Sequence, residues 1–271
     1  MKTQMILIVF ALSSLFTFAQ KPICDVTNYA FKEGEKIEME VFYNFMFPWT
    51  KVGQATLTVN ETKYNGQNVF HIRGYGNTAD SWSWFYRAED TYESYVDPLT
   101  LKPMWFRCQV KEDNYSLDET YIFNFKNNNA YSKRSYKKRP YVYDTIKISP
   151  CTYDVVTIFY IARNLDYSQM KPNQLIPVNV FMDRKLNNIY FRYIGKENVK
   201  VKGIGTIRCL KFRSYVITGD AFKEGEHLEI WVSDDQNRIP VRIDTPIIVG
   251  SVRAYLKSYS GLRSPFTSKI N

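Results

Sequence analysis

Strict alternation of apolar and polar side chains runs along almost the whole chain, and it leaves few folds open. Ala55, Leu57 and Val59 alternate with Thr56, Thr58 and Asn60. Tyr121, Phe123 and Phe125 alternate with Thr120, Ile122 and Asn124, and Val178, Val180 and Met182 flank Asn179 and Phe181. A period of two is that of a β-strand, whose successive side chains point to opposite faces. The residue types agree, since 21 Tyr and 18 Phe, with Val, Ile and Thr, suit pleated, half-buried surfaces. Turn chemistry separates the runs: Asn65-Gly66 signals a type I′ hairpin, and Asp97-Pro98, "NNN" at 127–129, "LNN" at 186–188 and "DDQN" at 234–237 mark further turns. This regularity predicts a mainly β chain, a curved antiparallel sheet or an open β-barrel-like single domain over residues 20–271.

One segment near the middle of the chain departs from the rule. "TYDVVTIFYIARNLD" (Thr152 to Asp166) follows Pro150 and offers Thr152 as an N-cap, with Asp154 placed against the positive helix end. Arg163 stands near the other end, where a cation is favourable. Val155, Val156, Ile158, Phe159, Ile161 and Leu165 cover nearly every side, so the spacing predicts one buried helix over Thr152 to Asn164, packed on the sheet.

The first nineteen residues read as a cleaved export signal. Lys2 gives a positive start, "MILIVFALSSLFTF" is too short for a comfortable membrane span, and Thr17 and Ala19 place small residues before the cut. The expected location is periplasmic or otherwise exported, and no second apolar stretch is long enough for an integral membrane protein. The formal net charge is +9, enough to attract an anionic envelope surface. Lys and Arg are scattered, however, and "KRSYKKR" (Lys133 to Arg139) reads as a solvated hairpin face, so nucleic acid is not an expected partner.

"FKEGEKIEMEVFY" (Phe31 to Tyr43) largely returns from Phe222 as "FKEGEHLEIWVSD". In both copies a turn glycine, Gly34 or Gly225, is flanked by carboxylates and followed by a strand in the same register. The copies then diverge, which reads as one way of starting a strand used twice. Carboxylates beside a turn glycine are ordinarily solvated, so Glu33, Glu35, Glu224 and Glu226 are not expected to form a catalytic pair.

The segments "FKEGEKIEMEVFYNF…KVGQATLTV", "YDVVTIFYIAR" and "IWVSDDQNRIPVRIDTPIIVGSVRAYL" together resemble the bacterial exported family known as domain of unknown function 3108. The similarity covers essentially all of the chain after the signal. It implies a β-rich envelope protein and brings no catalytic residues with it.

Direct signs of chemistry are few. The four cysteines, Cys24, Cys108, Cys151 and Cys209, form no CxxC pair, so they read either as structural disulfides or as buried thiols. His71 and His227 lie in alternating segments without an accompanying GxSxG or HExxH motif, and no phosphate-cradling glycine loop is present. No metal and no cofactor is expected. The most suggestive group is "DSWSWFYRAED": Trp82 and Trp84, two apart, are expected on one strand face, followed by Tyr86 and Arg87. Such a face is either the aromatic wall of a core, the reading the aromatic content favours, or a ligand surface. Trp49 in "FMFPWT" is a second ligand-binding candidate, at a sheet end. The expected function is non-enzymatic binding of a lipid or glycolipid in the concavity of the sheet. The alternatives are an envelope glycan or lipid hydrolase using unidentified carboxylates, and a scaffold that binds a protein partner through strand edges.

Overall fold

The computed structural model describes residues 22–45, 48–215, 227–247 and 249–270. The proposed signal peptide and the second copy's turn, with Glu224, Gly225 and Glu226, lie outside the described residues. Eight strands come first: β1 (Lys36–Asn44), β2 (Thr50–Tyr64), β3 (Gln67–Thr78), β4 (Ala88–Val96), β5 (Pro103–Glu112), β6 (Tyr115–Asn124), β7 (Asn129–Tyr136) and β8 (Val142–Lys147). The two-residue β9 (Thr152–Tyr153) and the helix α1 (Val155–Ala162) follow. The chain then forms β10 (Leu175–Met182), β11 (Lys185–Val201), β12 (Gly205–Tyr215), β13 (His227–Ser233), β14 (Pro240–Pro246), β15 (Ser251–Ser260) and β16 (Lys269–Ile270).

All strands join one open sheet in the order β8-β7-β6-β5-β4-β3-β2-β1-β15-β14-β13-β12-β11-β10-β9, with β16 added beside β12. Two up-and-down meanders, β1 to β8 and β10 to β15, therefore meet where β1 pairs antiparallel with β15. The predicted turns mostly fall where expected. Asn65 and Gly66, at φ 51° and 80°, take up the left-handed geometry that a type I′ hairpin between β2 and β3 requires. Asp97 closes the turn before β5 by accepting the amides of Leu99 and Thr100. "LNN" at 186–188 is a correction. These residues lie inside β11, and the reversal falls at Asp183 and Arg184, whose φ values of 51° and 56° show that they absorbed the turn instead.

The helix is shorter than its apolar run and is capped by a different residue. Asp154, not Thr152, is the N-cap, accepting the amides of Val156 and Thr157 at 2.9 and 2.8 Å. Its other oxygen accepts the hydroxyls of Thr157 and Ser94, both at 2.8 Å. Burial pushes the Asp154 carboxyl above its ordinary range, and these four donors oppose that shift. Thr152 is unavailable as a cap because it and Tyr153 pair in parallel with Asn179 and Val180 of β10. One side of α1 packs with Phe31, Phe70, Ile72 and Val96 in the first meander's core, and the other meets β10 to β13.

The helix ends in a buried ion pair. The Arg163 guanidinium donates to both oxygens of Glu35 at 2.6 and 2.7 Å, and its Nε donates to the Asn237 carbonyl at 2.9 Å. Both side chains are 1 % exposed or less. Burial alone would lower the Arg163 pKa, but the Glu35 charge beside it holds it above its usual value. This corrects the expectation for Glu35: Glu33 is solvated, whereas Glu35 is drawn beneath the turn by a cation from the far side of the molecule. Asn164 adds to the junction by accepting the amides of Tyr29 and Ala30 at 2.7 and 2.9 Å.

The cysteines divide evenly between the two expected states. Cys24 and Cys151 form a disulfide that ties the segment before β1 to the start of β9. Cys108 and Cys209 are free and buried, and burial pushes both thiols up, Cys209 to about 12, which keeps them unreactive.

Replacing Arg163 with Met should cost about 3–5 kcal/mol, because Glu35 is left charged and unpaired in the interior. The double variant Glu35→Leu, Arg163→Met should recover most of that loss in urea unfolding. Equal instability of the two variants would show that shape, not charge, is at stake. In denaturant, two of the four thiols should titrate before reduction and all four after it.

Candidate functional site

Between α1 and the second meander, the packing leaves an apolar cleft of about 300 Å³. Val155, Ile158, Phe159 and Ala162 of the helix form one wall. The other consists of Val178, Val180 and Met182 of β10, Ile189 and Phe191 of β11, Phe212 and Ser214 of β12, and Leu228, Ile230 and Val232 of β13. Period-two alternation supplies the strand residues. The continuous apolar cover of α1 supplies the helix side, because only part of that cover is used in the first meander's core. The cleft follows β13 from Leu228, next to the strand's start, to Val232 near its end.

At the Val232 end the lining changes character. Arg163, Tyr167 and Arg238 stand there, and Arg163 is already committed to Glu35. Arg238 is placed by the "DDQN" turn, in which Asp235 accepts the amides of Asn237 and Arg238. Its guanidinium donates to the Arg163 carbonyl at 2.6 Å and lies over the rings of Tyr29 and Tyr167, 5.6 and 5.1 Å from their centres. Among the described residues no carboxylate stands within ion-pair distance of it. Its charge reaches Asp166 at longer range, although that carboxyl lies below its usual range chiefly because of hydrogen bonds from Ser168. The arrangement is an apolar slot with two cations at its end, Arg163 paired with Glu35 and Arg238 without a carboxylate partner among the described residues. Among the described residues no nucleophile and base are brought together along its walls.

The residues singled out from sequence lie elsewhere. Trp82 closes a short 3₁₀ turn (Asp80–Trp82) in the β3–β4 connection, and Trp84 follows in the same turn, so neither is on a strand. Local bonding within the segment explains the difference. Ser83 bonds back to the Asp80 carbonyl, the Ser81 carbonyl accepts the Trp84 indole at 3.0 Å, and this local bonding competes with a strand ladder. Nor are these residues core: Trp84 is 78 % exposed and Phe85 53 %, with Tyr86 and Arg87 exposed beside them. Trp82 stacks on Trp84 with ring centres 6.3 Å apart. Trp49 lies at the neighbouring loop, covered on one face by the Arg253 guanidinium at 4.1 Å. None of the five lines the cleft. His71 bonds to Glu93 at 3.2 Å, and the His227 side chain lies outside the described residues. Among the described residues no cluster of His, Cys, Asp or Glu is placed to hold a metal ion.

Most cleft residues were legible as strand or helix positions, but not as walls of a common space. The residue with no sequence signal was Arg238. It sits in a turn whose polar residues read only as turn formers.

The fold is an open, barrel-like antiparallel sheet with a helix against it. The solved structures contain a likeness in a β-barrel-like protein of domain of unknown function DUF1849 from Brucella abortus. The match has a TM-score of 0.56 at 8 % identity and covers 86 % of this chain and 99 % of that one, so it speaks to fold alone. No curated protein matches the sequence. Residues 37–257 match the family described as protein of unknown function (DUF3108), and the chain belongs to that family.

One carboxyl outside the cleft has an unusual titration. Asp90, at the start of β4, is pushed up to about 7 by burial and by the nearby Glu112 charge. Its proton is therefore retained in the fold after the unfolded chain has lost it, so stability falls as pH rises from about 4 towards 7. Asp90→Asn should remove that slope and stabilise the protein above neutrality by on the order of 1–2 kcal/mol. Thermal melts at several pH values check this, and an unchanged slope would place the titrating group elsewhere.

Proposed function

We propose that this is an exported binding protein of the cell envelope, without enzymatic activity, that holds one elongated amphipathic molecule in the cleft between α1 and β10 to β13. The observation carrying this reading is the combination of an almost wholly apolar slot with Arg238 at one end, a cation with no carboxylate partner among the described residues. Small-molecule sites have this construction, with apolar walls supplying affinity and a few polar groups setting orientation. The ligand class that fits is a single long acyl chain bearing an anionic head, the head beside Arg238 and the chain running towards Leu228. A guanidinium serves such a head better than an ammonium because its planar donors match carboxylate and phosphate oxygens.

Oleate is a suitable probe, with oleyl alcohol as its uncharged counterpart. Titration should show saturable binding of one oleate per chain. Arg238→Gln should weaken it about tenfold, the worth of one charge-assisted hydrogen bond, and leave oleyl alcohol unaffected. No saturable binding of either molecule would overturn the reading. Equal effects on both would remove Arg238 from head-group recognition.

A further inference from the structure

The aromatic residues that miss the cleft share a place in the fold. Strand register sets the β1–β2 loop (Tyr43 opposite Thr50), the β3–β4 connection (Gly53 opposite Thr78, Asn77 opposite Glu89) and the β14–β15 loop (Pro246 opposite Ser251) along one edge of the sheet. The same edge continues through Glu112 opposite Tyr115 to the β7–β8 turn, where Arg134 faces Val142. Among the described residues, the large apolar side chains that project from it include Trp84 and Phe85, with Phe45 at 52 % exposure and Val249 at 46 %. Ring contacts gather most of this group into one patch. Trp84 meets Phe85 at 6.0 Å, and Phe85 meets Tyr43, whose hydroxyl donates to the Val249 carbonyl.

Cations flank the patch. Arg87 follows Tyr86 directly, and Lys137, Lys138 and Arg139 stand exposed in the β7–β8 turn. Among the described residues these four have no carboxylate partner at ion-pair distance, whereas Lys51 and Arg253, nearer the centre, are paired with Glu40 and Asp244. Asp80, Glu89, Asp90, Glu112 and Asp113 lie on the same edge near Arg87, and Asp113 accepts the Arg87 amide, so the excess of positive charge is confined to the β7–β8 turn.

We propose that this edge is a docking surface for an anionic lipid bilayer, with Trp84 and Phe85 entering the head-group region and the Lys137–Arg139 turn meeting lipid phosphates. The chemistry on both sides agrees. Indole and phenyl rings at loop tips favour the interface between hydrocarbon and water, and unpaired basic residues gain from a negative surface. An apolar patch exposed at loop tips, with cations left without partners beside it, fits a bilayer better than a protein groove. The surface is separate from the cleft's Arg238 end. It shares an edge with the Ser214 and Leu228 end, since those two residues pair where β12 ends and β13 begins, at the same side of the sheet. The proposal does not depend on what the cleft holds.

Flotation with vesicles of phosphatidylcholine, with and without phosphatidylglycerol, tests it. The protein should float with the anionic vesicles at low salt, remain free with phosphatidylcholine alone, and lose binding as salt is raised. Trp84→Ala with Phe85→Ala should weaken binding at least tenfold with an unchanged melting temperature, because both side chains are already exposed. Lys137→Glu with Lys138→Glu should weaken it and flatten its salt dependence. Arg238→Gln should leave vesicle binding unchanged, which separates this surface from the ligand cleft. Absence of binding to anionic vesicles would overturn the proposal. So would binding that survives the Trp84 and Phe85 changes, or a dimer in solution that those changes dissolve, which would make a second copy the occupant.

Discussion

The placement of α1 rests on one ion pair shut away from water. Glu35 belongs to the turn that starts β1, Arg163 to the end of α1, and Asn237, which accepts from the same guanidinium, to the loop after β13. A carboxylate and a guanidinium in the interior add little net stability over apolar residues of the same shape. What they impose is position, since a bidentate pair tolerates only one relation between its partners. At the other end of α1, Asp154 reaches Ser94 of β4. The helix is thus held at its start to β4 and at its end to both halves of the sheet, through Glu35 and Asn237.

The cleft follows from that constraint. A helix free to settle would close on β10 to β13 and expel the space, as close-packed interiors generally do. Held at both ends, with Cys24–Cys151 tying the preceding segment, α1 meets β10 to β13 without filling all the space between them. Arg163 thereby serves the site without donating to a ligand: it holds the wall in place, and its backbone carbonyl orients Arg238.

Much of this was legible in the residues. Period-two alternation carried the sheet, Asn65-Gly66 carried a hairpin, and the apolar run from Val155 carried a helix. The misses have physical causes. Thr152 and Asp154 both suit an N-cap, and the choice was settled by the pairing of Thr152 with the distant Asn179. Glu35 looked like Glu33, since nothing local says that a cation will arrive from Arg163. Trp82 and Trp84 satisfied strand spacing, but the Ser83 hydroxyl and the Trp84 indole bonded back to the local backbone and favoured a tighter turn. Each failure marks a place where a contact distant in sequence, or a side chain bonding to its own backbone, outweighed a local pattern. The cleft was illegible for a related reason: a space is a property of what fails to touch.

The junction of the two meanders has a consequence for how the chain is made. β1 is the first strand to emerge during synthesis and β15 nearly the last, yet they are neighbours at the middle of the sheet. The first eight strands can pair one after another as they appear, each through a short hairpin. β1 then waits with one row of amides and carbonyls open until almost the whole polypeptide exists. Such a contact is slow to find because the intervening chain must close on itself, and an unpaired edge held open meanwhile is a template for wrong partners. The final strand therefore acts as a keystone. A product cut short before Ser251 would lose more than its last hairpin, since it would keep an open seam through the centre of its sheet.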